Sequence, residues 1–170
     1  HQAILKTVAL VGFLAIAAAA ALAGSESGSV LQGPMVFGSP LTFGLTDLSW
    51  YFVLMVAGIT LLTVFFSIGA LRESGSYPMY YAWLFAKVFG MFGVVLSRDL
   101  LSFFIMWEIM SWATYFVMQQ GRQEAREAAL GYLVYAIVAG MVLLGGVIML
   151  RQSTGSFDFA VIFTSIKGYG

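Results

Sequence analysis

Two ionisable side chains, Lys87 and Glu108, stand inside long apolar runs where a charge is hardest to keep. The stretch KVFGMFGVVLSRDLLSFFIMWEIMSWATY, Lys87 to Tyr115, reads as two apolar helices whose only polar break is Ser97-Arg98-Asp99. The hairpin therefore turns there, and both residues lie roughly 14–17 Å from the turn, near the middle of a ~30 Å hydrocarbon layer. A charge at that depth costs from about 2.5 to above 10 kcal/mol depending on the reference state, so it needs a partner or a task. Glu108, Ser111 and Tyr115 are spaced i, i+3 and i+7, which places a carboxylate and two hydroxyls on one helical stripe able to hold ordered water. Lys87 has Trp83, Gly90 and Met91 on its side, and the missing side chain at Gly90 lets a neighbouring helix come close. Tyr132 and Tyr135 share a face of a later span. Carboxylate, lysine, hydroxyls and room for water are the parts of a buried proton relay, because burial and a nearby opposite charge act on a carboxyl's proton affinity in opposing directions. The other open reading is a buried Lys87–Glu108 pair that fixes helix register. The Met and Phe residues around Glu108 read as packing against helices or lipid, with no cofactor bound.

Such a hairpin needs a membrane, and the composition supplies the class. Of the 170 residues 61% are hydrophobic and 9% charged, against roughly a quarter charged in an ordinary soluble domain. Formal net charge is zero and Lys and Arg form no cluster, which excludes a nucleic-acid footprint and a polybasic lipid-binding segment. With no Cys, and with His1 the single histidine, the chain has no thiolate or imidazole set for a metal, haem or iron–sulfur centre.

The expected architecture is an all-α integral membrane bundle of about five transmembrane helices. Residues 1–24 form the first, with a secretory signal peptide as the competing reading because Lys6 precedes the apolar run and Ala21-Leu22-Ala23 ends it. His1 in place of Met leaves room for a preceding helix. Residues 25–46, rich in Gly, Ser and Pro and free of Lys and Arg, are an extracytoplasmic loop with short strands around Met35 and Leu41. Residues 47–151 form a four-helix bundle carrying the buried Glu. Asp47 opens its first span as an N-terminal cap favoured by the helix dipole, and Arg72 to Ser76 closes that span. Tyr77-Pro78 opens the next, with Tyr77, Tyr80, Tyr81 and Trp83 as an interfacial aromatic belt. Gln119 to Glu127 is a solvated turn, and the last span runs from about Glu127 to Leu150, where Gly145-Gly146 marks close helix contact or a weak point. Residues 152–170 are an amphipathic polar tail or a linker to further helices. Lys6, Arg72, Arg122 and Arg126 fall on one side, Arg98, Arg151 and Lys167 on the other, a bias that places the first side in the cytoplasm.

The run GVVLSRDLLSFFIMWEIMSWATYFVM resembles the fourth-to-fifth helix signature of the antiporter-like membrane subunits shared by respiratory complex I, energy-converting membrane-bound hydrogenases and multisubunit sodium/proton antiporters. Trp107-Glu108-Ile109-Met110-Ser111-Trp112 resembles the hydrogenase-type form most. Thr46-Asp47-Leu48-Ser49, the run Ala128 to Leu133 and the tail Ser153 to Asp158 are similar, in order, to the entry of the family's third helix, the start of its sixth and the loop that follows. The resemblance implies half of an antiporter-like fold, helices two to six. Glu108 is then the fifth-helix glutamate of a proton channel, and Asp99 the loop aspartate before it. The family's seventh helix, whose lysine pairs with this glutamate, lies beyond the match. Lys167 is not assigned that role, and Lys87 is a substitute partner or a link to an adjoining subunit. The chain is accordingly expected to be a fragment of a longer subunit or one piece of a split one.

The implied function is proton or sodium translocation in the inner (cytoplasmic) membrane, as a non-catalytic subunit of a redox-driven complex. Its partners are other membrane subunits, the lipid bilayer and, indirectly, peripheral redox subunits. The resemblance puts no cofactor on this chain and iron–sulfur with NiFe or flavin centres on the partners. A sodium/proton antiporter subunit and a non-conducting scaffold are the alternatives.

Overall fold

A computed structural model describes residues 11–13, 15, 19, 22, 28–70 and 77–167. Apart from a few helical positions such as Phe13, the expected first span and its signal-peptide alternative lie outside the described residues. The described chain runs β1 (Val30–Val36), β2 (Ser39–Gly44), α1 (Asp47–Ala70), α2 (Tyr77–Leu96), α3 (Leu100–Gln119), α4 (Gln123–Thr154) and α5 (Phe159–Lys167). Helices α1 to α4 are each long and apolar enough to cross a membrane, while α5, at nine residues, is not. This is the expected polytopic helical bundle, with a small antiparallel β-hairpin beside it where the loop reading placed short strands.

The hairpin turns on two residues. Val36 pairs with Ser39, leaving Phe37 and Gly38 at φ 49° and 77°, the left-handed pair that matches the twist of the flanking strands. The register shifts between Gln32 and Met35, where Pro34 has no N–H to give the ladder. Cap residues then start α1. The Ser49 N–H donates to Thr46 Oγ1 (3.1 Å) and the Thr46 N–H donates to Ser49 Oγ (2.7 Å), a reciprocal box that satisfies helix-end donors. Asp47 is exposed in the first turn, so the cap is Thr46 and not Asp47 as the sequence had suggested.

Helices α2 and α3 form the tight antiparallel pair of the bundle. A Cβ added at Gly90 would lie 2.7 Å from the Met110 backbone nitrogen and 2.9 Å from its Cα, so the two backbones touch because Gly90 has no side chain. Gly93 accommodates the Met106 side chain in the same way, and Trp83 stacks on Phe116 with ring centroids 4.2 Å apart. On its other face α2 packs Tyr81, Leu84 and Val88 against Val64 of α1 and against Phe13. Tyr81 is 3% exposed and its hydroxyl lies 3.0 Å from Ser67 Oγ, while Trp83 is held between helices. Two members of the expected interfacial belt therefore serve packing inside the bundle.

Helix α4 is longer than expected, beginning at Gln123 and running without a break through Gly145-Gly146 to Gly155, whose left-handed conformation (φ 74°) ends it with an N–H donated to the Arg151 carbonyl. Among the described residues nothing lies within 4 Å of a Cβ placed at either Gly145 or Gly146. Its outer face, including Val138, Met141, Val142 and Met149, is exposed. Asp158 caps α5, its Oδ1 accepting from the Ala160 N–H (2.7 Å) and the Val161 N–H (3.4 Å).

Candidate functional site

Helix α3 carries the candidate carboxylate, and its starting point is fixed by the other acid of the sequence motif. Asp99 is 4% exposed and is the N-cap of α3. Its Oδ1 accepts from the Ser102 N–H (2.7 Å), and its Oδ2 accepts from the Ser102 hydroxyl (2.6 Å), the Thr42 N–H (2.8 Å) and the Thr42 hydroxyl. The Arg98 N–H donates to the Thr42 carbonyl, the Leu100 N–H to Phe157, and the Phe159 N–H to the Arg98 carbonyl. The buried carboxylate thus ties the β-hairpin to the start of α3, and backbone hydrogen bonds from the same turn hold the lead into α5 at that end of the bundle. Asp99→Ala should remove the cap and strand four donor contacts, lowering stability by on the order of 3 kcal/mol. Thermal unfolding of the detergent-solubilised protein, with limited proteolysis at the hairpin, checks this. An unchanged melting temperature would refute the structural role.

Two to three turns into α3, the Glu108 side chain reaches across to α4, and its Oε1 lies so close to Gly140 that a Cβ there would clash with it. Gly140 is buried and forms the notch that receives the carboxylate. A crevice of about 10 Å³, close to the volume that admits one water, lies beside it between Glu108, Ser111, Trp112, Leu133, Ala136 and Ile137. On the other side Glu108 borders an apolar groove of about 370 Å³ between α2 and α3, walled by Trp83, Ala86, Phe104, Ile105 and Trp112. The carboxylate therefore stands at the boundary between a helix–helix crevice and a groove open at the bundle's side.

Ser111 is 7% exposed and joins Glu108 in the crevice, as the i, i+3 spacing anticipates. Tyr115 is half-buried one turn farther on and packs edge-to-face on Phe116. Tyr135, by contrast, is 79% exposed on α4 and lines neither space beside Glu108. Among the described residues Lys87 and Glu108 form no ion pair. The contacts of Gly90 with Met110, Gly93 with Met106 and Trp83 with Phe116 centre the hairpin near Leu100. By that register Lys87 lies level with Ala113, roughly 7 Å farther from the closed end than Glu108 at about 1.5 Å per residue. The two are on facing helices, as expected, but not at one depth.

Two features escaped the sequence reading. Gly140 was one glycine among several in α4, and only the packing of α3 singles it out. The Trp107 indole N–H, adjacent in sequence to Glu108, is buried with no acceptor among the described residues. No group of acidic, His or Cys side chains able to hold a metal ion occurs among the described residues.

Comparison with known proteins places this geometry. Residues 97–169 match the family described as NADH:quinone oxidoreductase/Mrp antiporter, transmembrane. The chain is 32% identical over 124 residues to Na(+)/H(+) antiporter subunit A1 of Staphylococcus aureus (strain bovine RF122 / ET3-1), a match covering 72% of this chain and 16% of that protein. The chain thus spans about one sixth of the length of the curated relatives it matches. Its fold is similar to a chain of the Mrp complex from Dietzia sp. DQ12-45-1b, with TM-score 0.78 and 22% identity, over 91% of this chain and 30% of that one. It is also similar to a chain of the membrane-bound sulfane sulfur reductase, an archaeal respiratory membrane complex, with TM-score 0.73 and 24% identity, over 91% and 25% respectively.

Proposed function

We propose that this chain, which matches the antiporter-like family of membrane subunits over residues 97–169, forms a proton-handling half of an ion-translocating subunit, with Glu108 as the group that takes up and releases the proton. The single observation that carries this reading is the seat of Glu108. An ionisable carboxylate stands within a spanning helix, fitted into the Gly140 notch, with a water-sized crevice on one side and an open groove on the other. A carboxylate at that depth is costly, so its presence points to a partner or a task. Ser111 supplies a hydroxyl in the same crevice, able both to donate to the ionised carboxylate and to accept from the neutral acid.

The subunit works in a redox-driven assembly of the complex I or membrane-bound hydrogenase type, in the cytoplasmic membrane, with neighbouring membrane subunits completing the path. Electron chemistry resides on partner subunits carrying iron–sulfur and NiFe or flavin centres. The translocated ion is a proton, or sodium coupled to it. The second reading, a subunit of a multisubunit sodium/proton antiporter, is supported by the match to the staphylococcal subunit. Purification of the native assembly separates them. Hydrogenase-like and iron–sulfur subunits should accompany the chain in stoichiometric amounts. Recovery with membrane antiporter subunits alone would replace the first reading with the second.

A further inference from the structure

We propose that the cavity between the β-hairpin, the α2–α3 turn and the start of α5 binds the head group of an amine-bearing phospholipid, with Arg98 holding the phosphate and Asp158 the ammonium. The cavity measures about 420 Å³ and its walls include Gln32, Thr42, Ser97, Arg98, Asp158 and Phe159. Arg98 is half-buried, and its stem crosses β2 at Gly44. A Cβ there would lie 2.9 Å from Arg98 Nε and 3.2 Å from its Cγ and Cδ, so the glycine makes the space in which the side chain rests. The backbone N–H and C=O of Arg98 are both committed, to Thr42 and Phe159, which fixes the residue at the cavity wall. Its guanidinium, however, forms no ion pair among the described residues, although Asp158 lines the same space. A guanidinium restrained along its stem, with a planar fork of donors unengaged, is suited to bidentate contact with a phosphate.

The charge balance narrows the ligand further. Asp158 commits Oδ1 to two N–H groups of α5, and Oδ2 has no partner among the described residues. One positive and one negative group in one cavity match a zwitterion better than a free anion. The cavity also lies at the ends of three apolar spans and beside α5, which buries Ile162 and exposes Val161, Phe163 and Ile166. A short helix of that pattern lies at the boundary between head groups and acyl chains. A ligand entering from the bilayer would therefore place its head group in the cavity and its acyl chains along the exposed apolar side chains of α5. This inference rests on the membrane-spanning fold and is independent of the role given to Glu108.

The test uses the full-length subunit in its purified assembly, delipidated and then re-supplied in nanodiscs with phosphatidylethanolamine, with phosphatidylglycerol, or with inorganic phosphate alone. Native mass spectrometry reads what stays bound. The wild-type protein should retain phosphatidylethanolamine in preference to phosphatidylglycerol, and Arg98→Gln should lower that retention at least tenfold. Asp158→Asn should abolish the preference between the two lipids. Gly44→Ala, which displaces the guanidinium without removing its charge, should reproduce the Arg98→Gln loss and serves if that variant does not assemble. Equal retention in the wild type and the Arg98 and Gly44 variants would overturn the proposal. So would indifference of the wild type to lipid class, or occupancy by inorganic phosphate with no lipid retained.

Discussion

Glu108→Gln should leave the subunit assembled and abolish most ion translocation. Glutamine has nearly the same shape, still fits the Gly140 notch and still hydrogen-bonds, but it has no proton to exchange near neutral pH. In sealed vesicles made from the purified assembly, pumping should fall at least tenfold, while electron transfer measured in detergent persists. That dissociation separates a proton carrier from a structural residue, because a register-fixing role would fail in assembly first. An unchanged ratio of ions moved to electrons transferred would return Glu108 to a packing role and favour the non-conducting scaffold.

The second large effect is expected at Gly140, which touches the chemistry only through its missing side chain. Gly140→Ala adds a methyl group that clashes with Glu108 Oε1 where it now lies. The obstructed atom is the tip of a flexible side chain, so the carboxylate swings aside at little cost to the fold, and alanine favours the helix by up to about 1 kcal/mol over glycine. Stability should therefore be retained or improved. Translocation should fall about tenfold or more, since displacements of ~1 Å in a reacting group can cost up to about 100-fold. Combining the two substitutions should give no loss beyond that of Glu108→Gln, because both act through one carboxylate. Vesicle assays of the two single variants and the double variant measure this coupling. Wild-type pumping by Gly140→Ala would show that the notch does not position the acid.

The spans were legible because hydropathy over twenty residues is a strong signal, and Gly90 was legible because a glycine beside a charged position in an apolar helix announces close approach. The depth of Lys87 was not. The turn lies at Ser97-Arg98-Asp99 as read, but equal counting from it does not give depth, because the packing of Gly90 on Met110 and Gly93 on Met106 centres the register of the pair near Leu100. Tyr135 illustrates a different limit. Helix α4 is apolar nearly all round, so periodicity does not reveal which face meets α3, and that face is set by Leu133, Ala136, Ile137 and Gly140. At Asp47 the dipole argument was sound for the first turn, yet the cap went to Thr46 because Ser49 returns its hydrogen bond.

The Asp99 knot also bears on how the chain is threaded into the bilayer. Thr42 and its partners Asp99 and Ser102 are separated by 57 and 60 residues, and α1 and α2 lie between them. The hairpin leaves the ribosome long before its lock exists. It stays untethered to α3 until α1 and α2 have both crossed and the start of α3 has been delivered to the same face of the membrane. Closure of the knot therefore marks the completion of the two crossings by α1 and α2, and a skipped helix leaves Thr42 and Asp99 on opposite faces. Protease resistance gained at the hairpin during synthesis is then a clock for topogenesis, read at a place remote from the acid that the finished helix presents.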